Sequence, residues 1–421
     1  MSHEVITFGC RLNSYESEVI KQAIDTAGNQ GGVQTIVFNS CAVTQEAERQ
    51  LRQAIRKARR NNPEARIVVT GCAAQIAPEK YAKMQEVDVV LGNEEKLKPE
   101  SYQFSHQAPE STEVHVQDIM TVKETASHLI SGFDGRARAF VQVQTGCNHR
   151  CTFCIIPYGR GNNRAVPIGE IVGQVKQLVA NGYKEVVLTG VDITDYGKDL
   201  PGQPTFGQMV RRLLKLVPEL PRLRLSSVDV AEIDDDLMAL IATEPRLMPH
   251  LHISVQSGDN MILKRMKRRH TREQVITFCD KVRKLRPEVV FGADIIVGFP
   301  TETEEMFQNT LNLVEEAGLT YLHVFPYSER EGTPAARMPQ LPKDIRKERA
   351  ARLREAGNIA HKTFLERKVG CDENVIVEEE KQGRGEDFSI IRLEQVAVPG
   401  DIVKVRIRSQ RGEYLIGEPI I

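Results

Sequence analysis

The sequence predicts an α/β protein with three parts in series: an N-terminal open parallel α/β sheet, a central partial (β/α)6 barrel, and a small C-terminal antiparallel β-barrel. Three observations predict this order. Short β-rich runs alternate with helical patterns over the first ~100 residues. Six further strand–helix units follow. The last ~55 residues change to short strands separated by Gly and Pro turns.

The N-terminal domain is predicted over residues 1–100, where strand-like runs at 5–8, 35–38 and 67–70 are each followed closely by a cysteine. These cysteines, which we name the N-terminal group, are Cys10, Cys41 and Cys72, spaced 31 residues apart. Ligand sites in parallel sheets lie outside the carboxyl ends of the strands. The placement therefore predicts that the three thiols meet at one site and are not unrelated core residues.

Residues 101–134 are predicted to be a polar linker, and residues 135–365 to be the barrel domain. The predicted barrel strands are 139–144, 185–189, 222–226, 250–256, 289–297 and 319–325, with helices at 168–181, 271–286 and 303–317. A charged helix is predicted at 342–368, before a C-terminal domain over 366–421 with strands at 374–380, 388–394, 401–408 and 413–418. Such barrels carry their chemistry at the carboxyl ends of their strands.

The composition is that of a folded protein without a secretory or membrane-spanning segment. Of 421 residues, 41% are hydrophobic and 27% are charged, and the net charge is −1. The sequence shows no N-terminal apolar run and nothing near the ~20 apolar residues of a membrane span. We therefore expect a cytoplasmic protein with no membrane partner, whose cysteines serve as metal ligands or catalysts and not as disulfides.

Local basic clusters indicate a polyanionic partner that the net charge does not reveal. The candidate RNA-binding residues are Arg52, Arg56, Arg59, Lys264, Arg269, Arg406 and Arg408. Any one cluster is more often a solvated face. Three clusters in a chain of balanced charge favour RNA.

A second set of cysteines, which we name the compact group, follows the first barrel strand as Cys147-Asn-His-Arg-Cys151-Thr-Phe-Cys154. Three thiolates on a cubane [4Fe–4S] cluster leave one iron without a protein ligand, so that this iron can bind a substrate. The alternative is a zinc site completed by His149. Zinc sites usually draw on paired ligands from distant parts of the sequence, and no second pair is evident here.

The sequence around both groups resembles the methylthiotransferases, one branch of the radical S-adenosylmethionine (SAM) superfamily, over nearly the whole chain. The barrel segments that carry the resemblance are Gln144-Thr-Gly-Cys147, Cys154-Ile-Ile-Pro157-Tyr-Gly-Arg160-Gly161, Leu188-Thr-Gly-Val-Asp-Ile193, Ile253-Ser-Val-Gln-Ser-Gly258 and Gly292-Ala-Asp-Ile-Ile-Val-Gly-Phe-Pro300. The N-terminal segments are Phe8-Gly-Cys-Arg-Leu-Asn13, Asn39-Ser-Cys-Ala-Val-Thr44 and Val69-Thr-Gly-Cys-Ala-Ala-Gln75. The C-terminal barrel resembles the RNA-binding TRAM module of this family.

The resemblance implies SAM and two [4Fe–4S] clusters as cofactors, with no catalytic residues beyond the six cluster ligands. It implies that the cluster on the N-terminal group holds a sulfur, which one SAM methylates. A second SAM is cleaved at the compact group, and the resulting radical removes hydrogen from carbon-2 of an adenine, which captures the methylthio group. Both clusters would then face one adenine, in a site that excludes water.

Within the family, Gly9-Cys-Arg-Leu-Asn13, Tyr15-Glu-Ser-Glu18 and Thr189-Gly-Val-Asp192 look most like enzymes that act on threonylcarbamoyl-adenosine beside the tRNA anticodon. Related branches act on isopentenyl-adenosine in tRNA or on an aspartate of a ribosomal protein. The implied partners are tRNA and a low-potential electron donor such as flavodoxin or ferredoxin, and we expect a monomer.

Three candidate contacts to SAM lie near the first two barrel strands. The resemblance implies that Phe153 lies against the adenine of SAM. Gly190 and Asp192 stand where the superfamily places a short motif against the methionine amino group. The usual glycine pair followed by glutamate is absent, so Asp192 would act as an acceptor by position alone.

Three further candidates follow or end later strands. Gln256 and Asp294 are expected to bind ribose or carboxylate, and Arg268 is expected to pair with the SAM carboxylate because a guanidinium matches that group bidentately. Each is equally compatible with an ordinary strand-end polar residue. Cys279 is predicted to be a core thiol on a helix, and Cys371 to have no function.

Two other hypotheses stay open from the sequence. One is the same chemistry on a protein side chain, against which the basic clusters and the TRAM-like barrel argue. The other is a non-catalytic iron–sulfur RNA-binding protein or redox sensor. Cleavage of SAM under strong reduction would distinguish an enzyme from that last possibility.

Overall fold

The computed structural model describes residues 3–28, 34–104, 111–123, 130, 132–133 and 135–420. The chain divides into two compact units. The first comprises residues 1–130, 144–166 and 328–336, and the second comprises residues 131–143, 167–327 and 337–421. Both cysteine groups therefore belong to the first unit. The sequence-based divisions at residues 100, 134 and 365 stay predictions.

The N-terminal part of the first unit is a parallel α/β sheet, as the sequence predicts. Its elements are β1 (His3–Thr7), α1 (Arg11–Ala27), β2 (Thr35–Ser40), α2 (Gln45–Asn61), β3 (Arg66–Gly71), α3 (Cys72–Ile76), α4 (Pro78–Ala82), β4 (Val89–Leu91) and β5 (Glu113–His115). All pairings are parallel, and the strands lie side by side in chain order. The three strands that precede the N-terminal group are thus direct neighbours.

The central strands β2, β3 and β4 are buried and largely apolar because helices cover both faces of the sheet. In β2, Val37 packs with Ile20 of α1 on one face, and Phe38 packs with Leu51 and Ile55 of α2 on the other. Successive side chains of a strand point to opposite faces, so a strand buried on both sides has no polar alternation.

The fifth strand lies within the segment predicted to be a linker. β5 pairs with β4 in parallel along three residues and forms the edge of the sheet. Other parts of that segment, residues 105–110, 124–129, 131 and 134, lie outside the described residues. The described part of the linker is therefore more regular than its polar composition indicates.

The middle of the chain supplies the remaining α/β elements. They are β6 (Arg138–Gln142), β7 (Gln144–Thr145), α5 (Ile156–Arg160), β8 (Arg164–Ala165), α6 (Ile168–Ala180), β9 (Glu185–Thr189), α7 (Phe206–Leu216), β10 (Arg222–Leu225), β11 (Ser227–Val228), α8 (Asp235–Thr243), β12 (His250–Gln256), α9 (Asn260–Arg265), α10 (Arg272–Leu285), β13 (Val290–Val297), α11 (Glu304–Glu316) and β14 (Leu319–Pro326). β7 and β8 form an antiparallel pair in the first unit and flank the compact group.

The second unit contains the predicted partial barrel. Its parallel strands form two sheets, β10-β9-β6 and β11-β12-β13-β14, and only Ser226 separates β10 from β11. Six strand–helix steps therefore follow one another, which confirms the predicted architecture. The helices begin where local sequence dictates: Thr271 and Gln274 form a reciprocal capping box at the start of α10.

The C-terminal region consists of a long helix and a closed five-stranded barrel. These elements are α12 (Lys343–Arg367), β15 (Asp372–Glu379), β16 (Gln382–Arg384), β17 (Ile390–Leu393), β18 (Ile402–Arg411) and β19 (Tyr414–Pro419). The predicted small barrel is confirmed: its pairings are antiparallel except for that of β17 with β19, which is parallel. Among the described residues, no helix has both the length and the apolar character needed to span a membrane.

A loop of the C-terminal barrel packs into the parallel strands of the same unit. Phe388, between β16 and β17, has a φ of 76° and stacks on His250 with a centroid separation of 4.9 Å. The guanidinium carbons of Arg138, Arg224 and Arg384 lie 5.4, 5.2 and 4.3 Å from the centre of its ring. Arg138 and His250 are the first residues of β6 and β12, so Phe388 covers the amino-terminal ends of the parallel strands in the partial barrel.

Candidate functional site

The three cysteines of the N-terminal group lie at the carboxyl edge of the first sheet. Cys10 is the N-cap of α1, Cys41 follows β2 directly, and Cys72 is the first residue of α3. Gly9 brings the Cys10 loop against Cys41: with a φ of +98°, it has space for no side chain, because a Cβ would lie 2.9 Å from the Cys41 Sγ. The structure thus brings together the residues that the sequence predicts to meet.

The electrostatics of the N-terminal group suit a metal and disfavour three free thiolates. Burial raises the pKa of the Cys41 thiol to about 11, although the backbone N–H of Val43, 3.5 Å from its Sγ, lowers it. The sulfurs of Cys72 and Cys10 add to the rise by mutual repulsion. Cysteines bind metals as thiolates. A metal cation at this edge would offset the repulsion between the three sulfurs and so favour their deprotonated form.

Behind these cysteines lies a buried set of polar side chains, the Arg160 network, made up of Asn13, Glu16, Lys96 and Arg160. The Arg160 Nε donates to the Cys72 Sγ at 3.1 Å, and its Nη2 donates to the Glu16 Oε2 at 2.9 Å and to Asn13. The Lys96 Nζ donates to the same Glu16 Oε2 at 2.7 Å. Two basic groups share one carboxylate, which leaves a positive excess beside Cys72 and fits an anionic sulfur there.

The compact group lies in a loop closed by backbone hydrogen bonds within the first unit. The Cys147 N–H donates to the Gly161 carbonyl at 3.1 Å, and the Thr152 carbonyl accepts from Ala335 N–H at 2.9 Å. Each of the three cysteines is partly exposed. A fixed loop with three accessible thiols fits a cluster that must leave one iron open to a substrate.

Gly146 gives a sharp test of this loop, because its φ of +72° and a gap of 1.8 Å from an added Cβ to the Asn162 carbonyl oxygen exclude any side chain. We expect Gly146→Ala to open the loop and to lower the iron content of reconstituted protein by about one cubane. Iron and sulfide analysis after anaerobic reconstitution measures this loss. Gly169→Ala is the matched control, because nothing lies within 4 Å of its added Cβ. Full iron content in Gly146→Ala would contradict the assigned role of the loop.

In the second unit, the predicted cofactor-contacting residues lie towards the carboxyl ends of parallel strands. Gly190 and Asp192 follow β9, Gln256 ends β12, and Asp294 lies in β13; all four are partly buried. Gln256 has a φ of 71° where the register of β12 against β13 shifts. A non-glycine residue in this region is strained, and such strain is commonest at functional sites.

Asp294 has two histidine partners that the sequence reasoning did not identify. The His252 Nε2 lies 3.0 Å and the His323 Nδ1 lies 3.1 Å from the Asp294 Oδ1. Burial alone would raise the pKa of Asp294, but these two histidines outweigh burial and hold that pKa below its usual range. The carboxylate therefore stays charged. The register of the strands explains one of these contacts, because Asp294 on β13 pairs directly with His323 on β14.

Arg268 already has protein partners where the sequence predicts a contact to the SAM carboxylate. Its Nη2 donates to the Asp229 Oδ2 at 2.8 Å and to the Ser254 carbonyl at 2.9 Å, and the side chain is buried. A SAM carboxylate would compete with Asp229 for this guanidinium. Its role as a SAM ligand stays a prediction.

All six of the predicted RNA-binding arginines are paired with acidic side chains of the protein. The pairs are Arg52–Glu48, Arg56–Glu86, Arg59–Asp88, Arg269–Glu232, Arg406–Asp372 and Arg408–Glu418. Lys264 is exposed on α9. Paired charges attract a polyanion less than the sequence indicates, because each arginine brings a nearby carboxylate with it.

The fold and the compact group together define a radical SAM protein. Residues 141–314 match the family model of the radical SAM superfamily, and residues 2–92 match the uncharacterized protein family UPF0004. Among solved structures, the radical SAM methyltransferase TsrM from Kitasatospora setae has a similar fold, with a TM-score of 0.57 at 13% identity over 80% of this chain and 75% of that chain.

Curated relatives narrow the class. The chain is 59% identical over 407 residues to the threonylcarbamoyladenosine tRNA methylthiotransferase MtaB of Rickettsia prowazekii (strain Madrid E), covering 97% of this chain and 95% of that protein. It is 38% identical to MtaB of Aquifex aeolicus (strain VF5), covering 95% and 98%. It is 32% identical to tRNA-2-methylthio-N(6)-dimethylallyladenosine synthase of Carboxydothermus hydrogenoformans (strain ATCC BAA-161 / DSM 6008 / Z-2901), covering 99% and 98%. The chain belongs to the MtaB family of tRNA methylthiotransferases, which are enzymes.

Membership of this family implies SAM and a [4Fe–4S] cluster as cofactors. The compact group has the three thiols that such a cluster takes from the protein. The family therefore favours a [4Fe–4S] cluster over the zinc alternative with His149, and the assignment of Cys147, Cys151 and Cys154 as its ligands stays a prediction.

Proposed function

We propose that the protein inserts a methylthio group at carbon-2 of threonylcarbamoyl-adenosine beside the anticodon of tRNA, with two SAM molecules and two [4Fe–4S] clusters. One observation carries the proposal: in the first unit, the helix that follows the compact group packs on the N-terminal group. A Cβ on Gly159 of α5 would lie 3.3 Å from the Cys72 Cβ. A compact loop whose following helix contacts Cys72 suits a reaction that joins a sulfur from one site to a carbon activated at the other.

The two groups divide the work. Cys147, Cys151 and Cys154 would hold the cluster that binds SAM, and the bound cofactors supply the one-electron chemistry needed to activate an unreactive C–H bond. The N-terminal group would hold the second cluster and the sulfur to be transferred. Other residues would bind SAM and orient it at the cluster. The proposed SAM contacts are Phe153, Gly190, Asp192, Gln256, Asp294 and Arg268.

The choice of threonylcarbamoyl-adenosine rests on the pattern of identities. Relatives named for threonylcarbamoyladenosine reach 59% and 38% identity to this chain over nearly its whole length, and one from Chlamydia pneumoniae is 32% identical. Those named for dimethylallyladenosine are 32% or 33% identical, so the highest identities belong to the first group. Methylthiolation of isopentenyl-adenosine is the second candidate, and modification of a ribosomal-protein aspartate is the third.

Further parts of the proposal concern organisation and partners. We assign residues 1–100 to the second cluster, 135–365 to radical chemistry, and 366–421 to RNA binding by a TRAM-like barrel. A tRNA substrate places the enzyme in the cytoplasm, where a flavodoxin or ferredoxin would supply electrons. A monomer remains our expectation.

Nucleoside analysis of tRNA tests the substrate. In a bacterial strain that lacks its own tRNA methylthiotransferases, expression of this protein is expected to produce the 2-methylthio derivative of threonylcarbamoyl-adenosine. Expression of the Cys151→Ala variant controls for background. A methylthio product on isopentenyl-adenosine alone would replace the first candidate by the second, and unmodified tRNA would count against both.

A further inference from the structure

Arg160 connects the two cysteine groups of the first unit. It is the last residue of α5, six positions after Cys154, and its side chain is only 3% exposed. Its Nε donates a hydrogen bond to the Cys72 Sγ at 3.1 Å. The close packing of α5 on α3, which Gly159 permits, brings the guanidinium to that sulfur. A side chain from the compact loop therefore reaches a ligand of the other group.

The charges around this hydrogen bond are not balanced without an anionic sulfur. The Glu16 carboxylate, itself buried, pairs with both Arg160 and Lys96. An arginine side chain stays protonated in proteins, so Arg160 is a permanent buried cation. A buried cation is costly unless it is paired.

We propose that Arg160 is a positioning residue that donates to the Cys72 sulfur and raises the reduction potential of a cluster bound to the N-terminal group. This inference rests on the proposed function, which places a cluster there. Reduction adds a negative charge to a cluster, and both a hydrogen bond to a ligand sulfur and a nearby cation stabilise that added charge. Glu16 has the opposite effect, because its carboxylate offsets part of the cationic charge.

One consequence concerns assembly. Because Arg160 follows the compact group in sequence, a folded compact loop supplies a ligand-sulfur partner to the N-terminal group. The environment of one centre therefore depends on the loop of the other, although no cysteine is shared between them.

The test uses full-length protein in which Cys147, Cys151 and Cys154 are replaced by alanine, so that a single cluster gives the signal. After anaerobic reconstitution with ferrous iron and sulfide, the midpoint potential is measured by electron paramagnetic resonance during a redox titration. In this background, Arg160→Gln is expected to lower the midpoint potential by about 59 mV. For a one-electron couple, this shift raises the ratio of oxidised to reduced cluster about tenfold at a fixed potential. Glu16→Gln is expected to shift the potential the other way, and Arg160→Lys is expected to restore part of the wild-type value.

Arg164→Gln is the matched control, because this equally buried guanidinium pairs with Glu94 at 3.1 Å. No iron in the parent protein of this series would refute the second cluster and hence the proposed function. If the cluster forms and its midpoint potential in both Arg160→Gln and Glu16→Gln equals that of the parent protein, only the inference about Arg160 is overturned. If Arg160→Gln does not bind iron, the midpoint potential of Glu16→Gln decides. A shift to higher potential supports the proposal, and the absence of such a shift refutes it.

Discussion

Replacing one cysteine from each group is expected to separate SAM cleavage from methylthiolation. Cys151→Ala removes one of three ligands of the compact group, so SAM cleavage is expected to fall to background. Cys41→Ala leaves the compact group intact, so 5′-deoxyadenosine should still form under strong reduction while the methylthio product disappears. Each variant is expected to retain about one cubane of the two in the wild type, because each site depends on three thiolates.

The measurements are iron and sulfide content after anaerobic reconstitution and chromatography of the SAM products. Cys371→Ser serves as the control, because Cys371 is an exposed thiol outside both groups. It should retain both clusters and full activity. Two cubanes in Cys41→Ala would show that the N-terminal group is not a cluster site, whatever the compact group does.

The long elements could be predicted from the sequence because their patterns are strong and local. The strand predicted at 250–256 and the helix predicted at 168–181 match β12 and α6 to within one residue. β16 and β5 were not predicted, since each has only three residues and forms through pairing with neighbours. Such short strands carry little signal of their own.

The candidate site divides in the same way. Equal spacing of cysteines after strands is visible in the sequence, and the structure places those cysteines together at one sheet edge. Arg160 could not be assigned a role from spacing, because its partners Cys72 and Glu16 are 88 and 144 positions away. Charge alone also misled: Arg59 lies in a basic helical run, yet its guanidinium bonds to Asp88 at 2.6 Å.

Long-range pairing of the same kind makes Glu185 a sensitive charged residue of the second unit. Glu185 begins β9, is fully buried, and accepts from the Arg224 Nε at 2.8 Å. Arg138 and Arg222, its register partners on β6 and β10, lie 3.8 and 3.6 Å from its carboxylate oxygens. Glu185→Gln leaves the buried guanidiniums of Arg222 and Arg224, and the partly buried one of Arg138, without this carboxylate. We expect it to destabilise the unit by about 3–5 kcal/mol, the usual cost of breaking a buried pair from one side.

The pH dependence gives this prediction a second signature. Burial would raise the pKa of Glu185, but the guanidiniums of Arg224, Arg138 and Arg222 outweigh burial and hold that pKa below its ordinary value. A carboxylate with a lowered native pKa stabilises the fold above its unfolded pKa and loses that effect as pH falls through the native value. The difference in the free energy of unfolding between wild type and Glu185→Gln should therefore be full at pH 7 and shrink below about pH 4.5.

Urea denaturation combined with peptide-resolved hydrogen exchange across β9 measures this difference in stability. Asp280→Asn, which removes an exposed i,i+3 partner of Arg283, should change stability by less than about 0.5 kcal/mol. A pH-independent loss in Glu185→Gln would mean that packing, and not the buried charge, stabilises this end of the barrel.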